Sequence, residues 1–262
     1  MQIIVCIKQV PGTNKVAIDE STGVLKRDGV ESKINPYDLY ALEAGLRLRE
    51  ALGGTVTVVS MGPPQAEAVI REAYMLGADA GALISDRQFA GSDVLATSYT
   101  LSQGIRALGP FDLIICGKQT TDGDTAQVGP ALAEFLNIPH VTWVRAIPEA
   151  TPERLRVEQD LADSYELVEL AYPCLITVEK GINQPRLPSY RRKLATADRP
   201  VRMIGRRELQ DQDELRYGLN GSPTQVERIF PPEVRSEQVL WEGEAPELTA
   251  KLWQLLREAK YI

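Results

Sequence analysis

The sequence predicts an α/β protein: an open, mostly parallel, twisted sheet with helices on both faces, an antiparallel extension, and an extended C-terminal arm ending in a helix. Two observations predict the sheet. From residue 2 to about 136, short β-branched apolar runs alternate with runs of helical period, and returning a chain to a parallel neighbour takes a helix's length. After Pro139 the apolar runs follow one another with short links, as in antiparallel strands. A third observation predicts the arm: residues 208–246 are polar, proline-containing and weakly periodic. The organisation expected is therefore an α/β domain over 1–207, including a protruding loop at about 181–193, and an arm with its helix over 208–262.

In order, Gln2 to Lys8 is a buried strand closed by Pro11-Gly12. Lys15–Ile18 and Val24–Lys26 flank Ser21-Thr22-Gly23 as a surface hairpin. Asn35 caps a helix with Pro36 at its first position, and Gly53-Gly54 ends it. Thr55 to Met61 is a strand, and Gly62-Pro63-Pro64 opens a helix that stops at Gly77. Ala80 to Ser85 is a strand, a helix runs from Ser92 or Asp93 to Gly109, and Phe111 to Cys116 is the fourth strand. Ala131 to Leu136 is amphipathic. His140–Ile147, Arg154–Gln159, Tyr165–Leu170 and Cys174–Glu179 read as strands of the antiparallel extension. Leu248, Leu252, Leu255, Leu256 and Ala259 recur at helical spacing in the tail, which predicts a helix that docks on something.

Composition excludes several functions. Thirty-six acids against 29 bases give a net charge of −7, which disfavours a general nucleic-acid binder. His140 is the only histidine, so a zinc site or a histidine-dependent triad lacks its usual parts; no metal is expected. Cys6, Cys116 and Cys174 each sit in an apolar run without CxxC spacing, which predicts reduced thiols and a cytoplasmic setting. No run approaches the ~20 apolar residues of a membrane span. The opening MQIIVCIKQVP has no basic n-region and reads as a strand.

Common nucleotide fingerprints are missing: no G-x-x-x-x-G-K-[ST] occurs, and no G-x-G-x-x-G follows the first strand. In their place, GKQTTDGDTAQVGP (Gly117–Pro130) lies where a parallel strand hands its chain to a helix. Backbone N–H groups and the positive end of the helix dipole point outward there. Gly117 and Gly123 allow close backbone approach, and the amides from Thr125 to Gly129 suit a pyrophosphate. Asp122 and Asp124 oppose an anion unless they are turned to other partners. The same residues equally describe a capped helix start, and spacing alone leaves both readings open. The strand ends Cys6–Gln9, Asn35–Asp38 and Met61-Gly62 belong to the same predicted crevice of a Rossmann-like sheet. From Asn183 to Arg207 there are eight bases (Arg186, Arg191, Arg192, Lys193, Arg199, Arg202, Arg206, Arg207) against Asp198. This tract is either a solvated face or a recognition loop with Tyr190 as apolar anchor among arginines, suited to an acidic protein.

The segments IIVCIKQVP, SKINPYDLYALEAGLRL, VVSMGPP, REAYMLGADAG, ICGKQTTDGDTAQVG and LRVEQD…ELVELAYPCLITVEKGINQPR together resemble the beta subunit of electron-transfer flavoproteins, nearly end to end. Ala162, Asp163 and Ser164 stand where that family usually has glycines. The resemblance implies a heterodimer with an alpha subunit and an adenine-nucleotide site formed by Cys6, Asn35, Pro36, Tyr37, Asp38, Met61, Gly117, Lys118, Gln119, Thr120, Thr121, Asp122, Gly123, Asp124, Thr125, Ala126, Gln127 and Val128. In most of the family this site holds AMP, and in the electron-bifurcating branch FAD. TDGDTAQVGP looks more like the latter, which implies FAD, with NADH as hydride donor, ferredoxin or flavodoxin as one acceptor and an acyl-CoA dehydrogenase-like enzyme as the other. AMP in a simple electron carrier is the alternative, and an adenine-nucleotide sensor rests on fold analogy alone. Dehydrogenase docking is implied for Tyr190, Arg191 and Arg192, with Tyr190 where the family usually has leucine.

Overall fold

The computed structural model describes residues 1–12, 32–227 and 239–262. The hairpin expected over Lys15–Lys26 lies outside them. Two compact units divide the chain, Met1–Glu227 and Arg228–Ile262.

In the first unit the elements run β1 Gln2–Cys6, β2 Gln9–Pro11, β3 Ser32–Ile34, α1 Pro36–Leu52, β4 Thr55–Met61, α2 Glu67–Leu76, β5 Ala80–Ile84, α3 Val94–Leu108, β6 Leu113–Gly117 and α4 Val128–Leu136. They continue through β7 His140–Ala150, β8 Arg154–Asp160, β9 Tyr165–Ala171, β10 Cys174–Val178, α5 Tyr190–Ala195 and β11 Arg202–Ile204. Nine strands form one sheet in the order β11-β5-β4-β1-β6-β10-β7-β8-β9, and β2 pairs antiparallel with β3 apart from it. Successive residues of the central strands serve opposite faces. Ile3, Val5, Leu113 and Ile115 join α1 and α2 in one core; Ile4, Ile114, Ala82 and Ile84 join α3 and α4 in the other. That is why these strands read as continuous apolar runs rather than alternating ones.

The antiparallel extension is smaller than the sequence predicts. β7–β8–β9 form it, but β10 pairs parallel with both β6 and β7 and lies inside the sheet. All five β10 residues are buried, a demand that only a central strand meets. β11 was not legible: three residues among arginines add a parallel edge strand beside β5. Residues 208–227 lie in the first unit, where Leu209 and Tyr217 are buried. In the second unit α6, Ala245–Glu258, has no buried residue and exposes Leu252, Trp253 and Leu255.

Much of the basic tract is internal scaffolding. Arg186 donates to Glu43 at 2.7 Å and to Glu50 at 2.7 Å, and Glu43 is 4% exposed. Its hold, with that of Arg47, outweighs burial and keeps the Glu43 carboxyl below its ordinary range. Arg192 donates to Leu76 O at 2.7 Å and Arg202 to Ala107 O at 3.0 Å, both at helix C-termini where a cation meets the negative end of the dipole. Arg199 binds Ala78 O and Asp79 O. Arg191, Lys193 and Arg207 remain exposed.

The seam that positions the candidate site is where α1 meets β1 and β6. Asp38, in the first turn of α1, is buried there and accepts the Lys8 N–H at 2.7 Å, with Asn35 and Gly117 close enough to favour its ionised form. Burial outweighs these contacts and pushes the Asp38 carboxyl up to about 7. A Cβ at Gly117 would fall 2.4 Å from Asp38 Oδ1, so only glycine lets the carboxyl reach the strand end.

Two predictions follow from this packing. Arg186→Ala destabilises the protein by about 2–4 kcal/mol, because it leaves the buried Glu43 carboxylate to Arg47 alone and frees Glu50, whereas exposed Arg191→Ala stays within about 0.5 kcal/mol. Urea midpoints of the two variants check the contrast. Asp38 has a raised folded pKa, so its contribution to stability is fully present below the ordinary value of 3.8 and is lost as pH rises through about 7. Unfolding midpoints measured between pH 4 and 8 therefore carry a downward component that Asp38→Asn removes; an identical profile in the variant refutes the assignment.

Candidate functional site

Parallel order places Cys6, Met61 and Gly117 at the carboxyl ends of the adjacent strands β1, β4 and β6. This is the edge at which open α/β sheets bind ligands. Cys6 and Cys116 are register partners on β1 and β6, and their mutual hydrogen bond, with burial, raises the Cys116 thiol well above the ordinary range. Asn35 to Asp38 begin α1 beside these ends, and Lys118 to Gln127 form a loop from β6 to α4. All four predicted segments therefore meet at one edge.

Asn35 does not cap α1 through its side chain, as the sequence predicts; it ties down the loop. Its Nδ2 donates to Gln119 O at 2.8 Å, and its Oδ1 accepts the Thr121 N–H at 3.2 Å. Fully buried, the amide has both halves satisfied, a two-point tether between segments 84 and 86 residues apart. Pro36 keeps its predicted place at the helix start, where its missing N–H costs nothing. Tyr37 lies half-buried next to it, with its backbone 2.7 Å from where a Gly117 Cβ would sit.

The loop's charges are answered inside the chain. Lys8 Nζ donates to both Asp122 oxygens at 2.7 and 2.8 Å. Burial opposes ionisation of Asp122, but the Lys8 bond and charge outweigh it and hold the carboxyl low. Asp124 accepts from Gln119 Nε2, while the Gly123 N–H donates to Thr120 Oγ1 at 3.3 Å and the Asp124 N–H to Thr120 O at 2.9 Å. Lys118 Nζ donates to Glu179 at 2.5 Å and lies 4.0 Å from the Trp143 ring centroid. The two aspartates that opposed an anion at the level of sequence are thus turned to partners.

Asp124 and Ala126 adopt left-handed backbone conformations, φ 52° and 54°. For alanine this costs ~1 kcal/mol or more, and such strain concentrates at functional sites. Past these turns α4 begins at Val128 without a side-chain cap at Gln127. Among the described residues, the N–H groups of Thr125, Ala126, Gln127, Val128 and Gly129 meet no acceptor. Five such amides lie at the positive end of a helix dipole, an arrangement of the kind that suits an anion, and Thr121 to Thr125 beside them are exposed.

Residue reasoning placed Lys8 on this edge without its partner Asp122, and missed Glu179, Thr177 and Trp143. Trp143 is left-handed (φ 58°), 40% exposed, and donates its N–H to Thr177 Oγ1 at 3.0 Å. A bulge in the β10–β7 register at Ile176/Val178 accompanies it, and no sequence pattern announces such a bulge. Tyr190, expected within a protruding loop, instead begins the short helix α5 and is 73% exposed; Arg191 is exposed beside it, and Arg192 turns to the end of α2.

Residues 22–203 match the electron transfer flavoprotein domain. Over its whole length the chain is 43% identical across 262 residues to the electron transfer flavoprotein subunit beta of Clostridium acetobutylicum, covering all of both chains. It is 44% identical across 243 residues to protein FixA of Azotobacter vinelandii, covering 91% of this chain and 86% of that one. Across 233 residues it is 44% identical to the caffeyl-CoA reductase-Etf complex subunit CarD of Acetobacterium woodii, covering 88% of each. With the domain matched over most of its length, and a nine-stranded sheet whose carboxyl edge carries the open amides, the chain belongs to the electron transfer flavoprotein family, as a beta subunit.

Proposed function

We propose that the crevice holds the adenylate end and pyrophosphate of an FAD, and that the chain works in a heterodimer with an electron transfer flavoprotein alpha subunit. The observation that carries this reading is the set of open amides from Thr125 to Gly129 beside the Asn35 tether. These donors suit a pyrophosphate, and the paired Asp122 and Asp124 leave the cradle without opposing free charge. The exposed outer side of Thr121–Thr125 leaves the ligand room to continue beyond a single phosphate, which supports FAD over AMP. When bound there, FAD would supply two-electron and one-electron redox chemistry, which suits NADH as hydride donor, ferredoxin or flavodoxin as one electron acceptor and, by way of the alpha-subunit flavin, an acyl-CoA dehydrogenase-like enzyme as the other. The chain's own residues orient and insulate. Asn35 and Lys8 fix the loop, Asp38 fixes the strand ends beneath it, and Cys6 and Met61 offer an apolar floor for the base.

Partner surfaces fit the same reading. α6 presents Leu252, Trp253 and Leu255 with no buried residue of its own, as suits packing on an alpha subunit. Tyr190 with Arg191 forms the docking point for the acyl-CoA enzyme, and the complex named for the Acetobacterium relative supports an enzyme of that substrate class. Free Cys6, Cys116 and Cys174 suit a reducing, cytoplasmic setting, and among the described residues no helix is long and apolar enough to cross a membrane.

The purified heterodimer is expected to release two FAD and no AMP on denaturation, measured by chromatography; one FAD with one AMP overturns bifurcation in favour of the simple carrier. Tyr190→Ala combined with Arg191→Ala is expected to lower electron transfer to the acyl-CoA enzyme by about tenfold or more at full flavin content. An unchanged rate in the double variant removes the docking assignment.

A further inference from the structure

β5 and β11 run parallel, so the segments that follow them leave the sheet at its carboxyl edge, beyond β4 and away from the strands under the crevice. Between them lies a cavity of about 250 Å³ whose polar lining is Arg87, Gln88, Arg206, Glu214 and Asn220, with Tyr217 and apolar side chains completing the wall. None of these residues belongs to the nucleotide crevice.

Arg206 is the informative residue. It is 5% exposed, its Nη1 donates to Asp211 O at 2.9 Å, and its guanidinium lies 4.4 Å from the Tyr217 ring centroid. Its buried Nε has no partner among the described residues. Asp211 gives Arg206 only a backbone carbonyl and spends its carboxylate on Tyr99 and on Arg216 at 3.4 Å. A buried guanidinium with an open N–H and no carboxylate bonded to it is costly unless an anion completes the site. Arg87, exposed on the rim, brings a second guanidinium, and Asn220 and Gln88 bring amides. Glu214 is the one acid on the lining, and Gln88 Nε2 lies 3.5 Å from it.

The walls are built rather than draped. Gly218 has φ 58°, and a Cβ there would meet Gln88 O at 2.1 Å, so the 218–221 turn sits directly on the segment after β5. Ser222 Oγ locks it, donating to Gly218 O at 2.7 Å and accepting the Asp93 N–H at 2.9 Å. Two guanidinium groups and two amides on one cavity suit an oxyanion, which takes charge-assisted N–H donors.

We propose that this cavity binds a phosphate group, either as inorganic phosphate or as the terminal group of a small phosphomonoester, independently of the nucleotide in the crevice. The test is isothermal titration calorimetry on the nucleotide-loaded native complex at constant ionic strength, with inorganic phosphate and with glycerol phosphate as probes. One saturable site per complex is expected. Arg87→Ala should weaken it about tenfold. Glu214→Gln should tighten it several-fold by removing the opposing charge, while nucleotide content stays full in both variants. The tighter of the two probes identifies the source of the group. Absence of saturable binding by either probe, or a binding constant that neither substitution moves, overturns the proposal.

Discussion

One buried carboxyl organises the molecule's working edge. Asp38 accepts the Lys8 N–H below the surface, close against Gly117 and Asn35, and so joins the ends of β1 and β6 to the first turn of α1. Backbone donors at strand ends have no ladder partners, and each unsatisfied one would cost ~1–3 kcal/mol if buried alone. Asp38 satisfies that of Lys8 at 2.7 Å. Everything above depends on it: Asn35 can reach the loop because its neighbour fixes where α1 begins, and Lys8 can reach Asp122 because its own backbone is held. The glycine at 117 belongs to the same constraint, since any side chain there would push the carboxyl away.

Charge in this chain has two distinct uses that composition does not separate. The arginines of the tract from 186 to 206 mostly answer carbonyls and carboxylates within the fold: Glu43 and Glu50, and the ends of α2 and α3. These contacts fasten a segment with little apolar content of its own onto the helices, which is how β11 comes to lie beside β5. What is left in solvent is narrow: Tyr190, Leu187 and Leu194 with Arg191 and Lys193 among them, and Arg207 apart. A docking surface with an apolar centre and a few free cations discriminates better than a uniformly basic face, because each cation left in solvent adds little affinity and is screened by salt.

The alternation of strands and helices up to α4 was legible because each element buries one or both faces and its composition records which. The position of β10 was not, although its signal was present. Cys174–Val178 is apolar at every residue but one, which marks a strand covered on both sides, yet its short link to β9 suggests a hairpin. Burial overrode chain proximity. At the site, residue types and strand ends were enough to bring Cys6, Asn35–Asp38, Met61 and Gly117–Val128 to one edge. The pairings that make the edge work were beyond reach: Lys8 and Asp122 are 114 residues apart, and nothing local to either marks the other. The role of Asn35 was misread for a related reason. Asn before Pro is a good cap by local rules, but a tertiary partner offering both a donor and an acceptor is better still.

The loop between β6 and α4 shows why a cradle needs this much support. The approach to the unpaired amides from Thr125 to Gly129 contains two left-handed residues, and Ala126 has no polar side chain to compensate its own conformation. Left alone, such a loop would relax, pair its amides internally and extend α4 backwards. It is prevented at both ends. The first half is held by Asn35, by the Thr120 bonds and by the Lys8–Asp122 ion pair; the second runs into the rigid start of α4, where Pro130 has no N–H to give. The strain is therefore supported by contacts outside the cradle, and the open donors are available without reorganisation. That is the condition under which backbone amides bind an anion tightly: they are oriented beforehand, and the aspartates nearest them are already committed elsewhere.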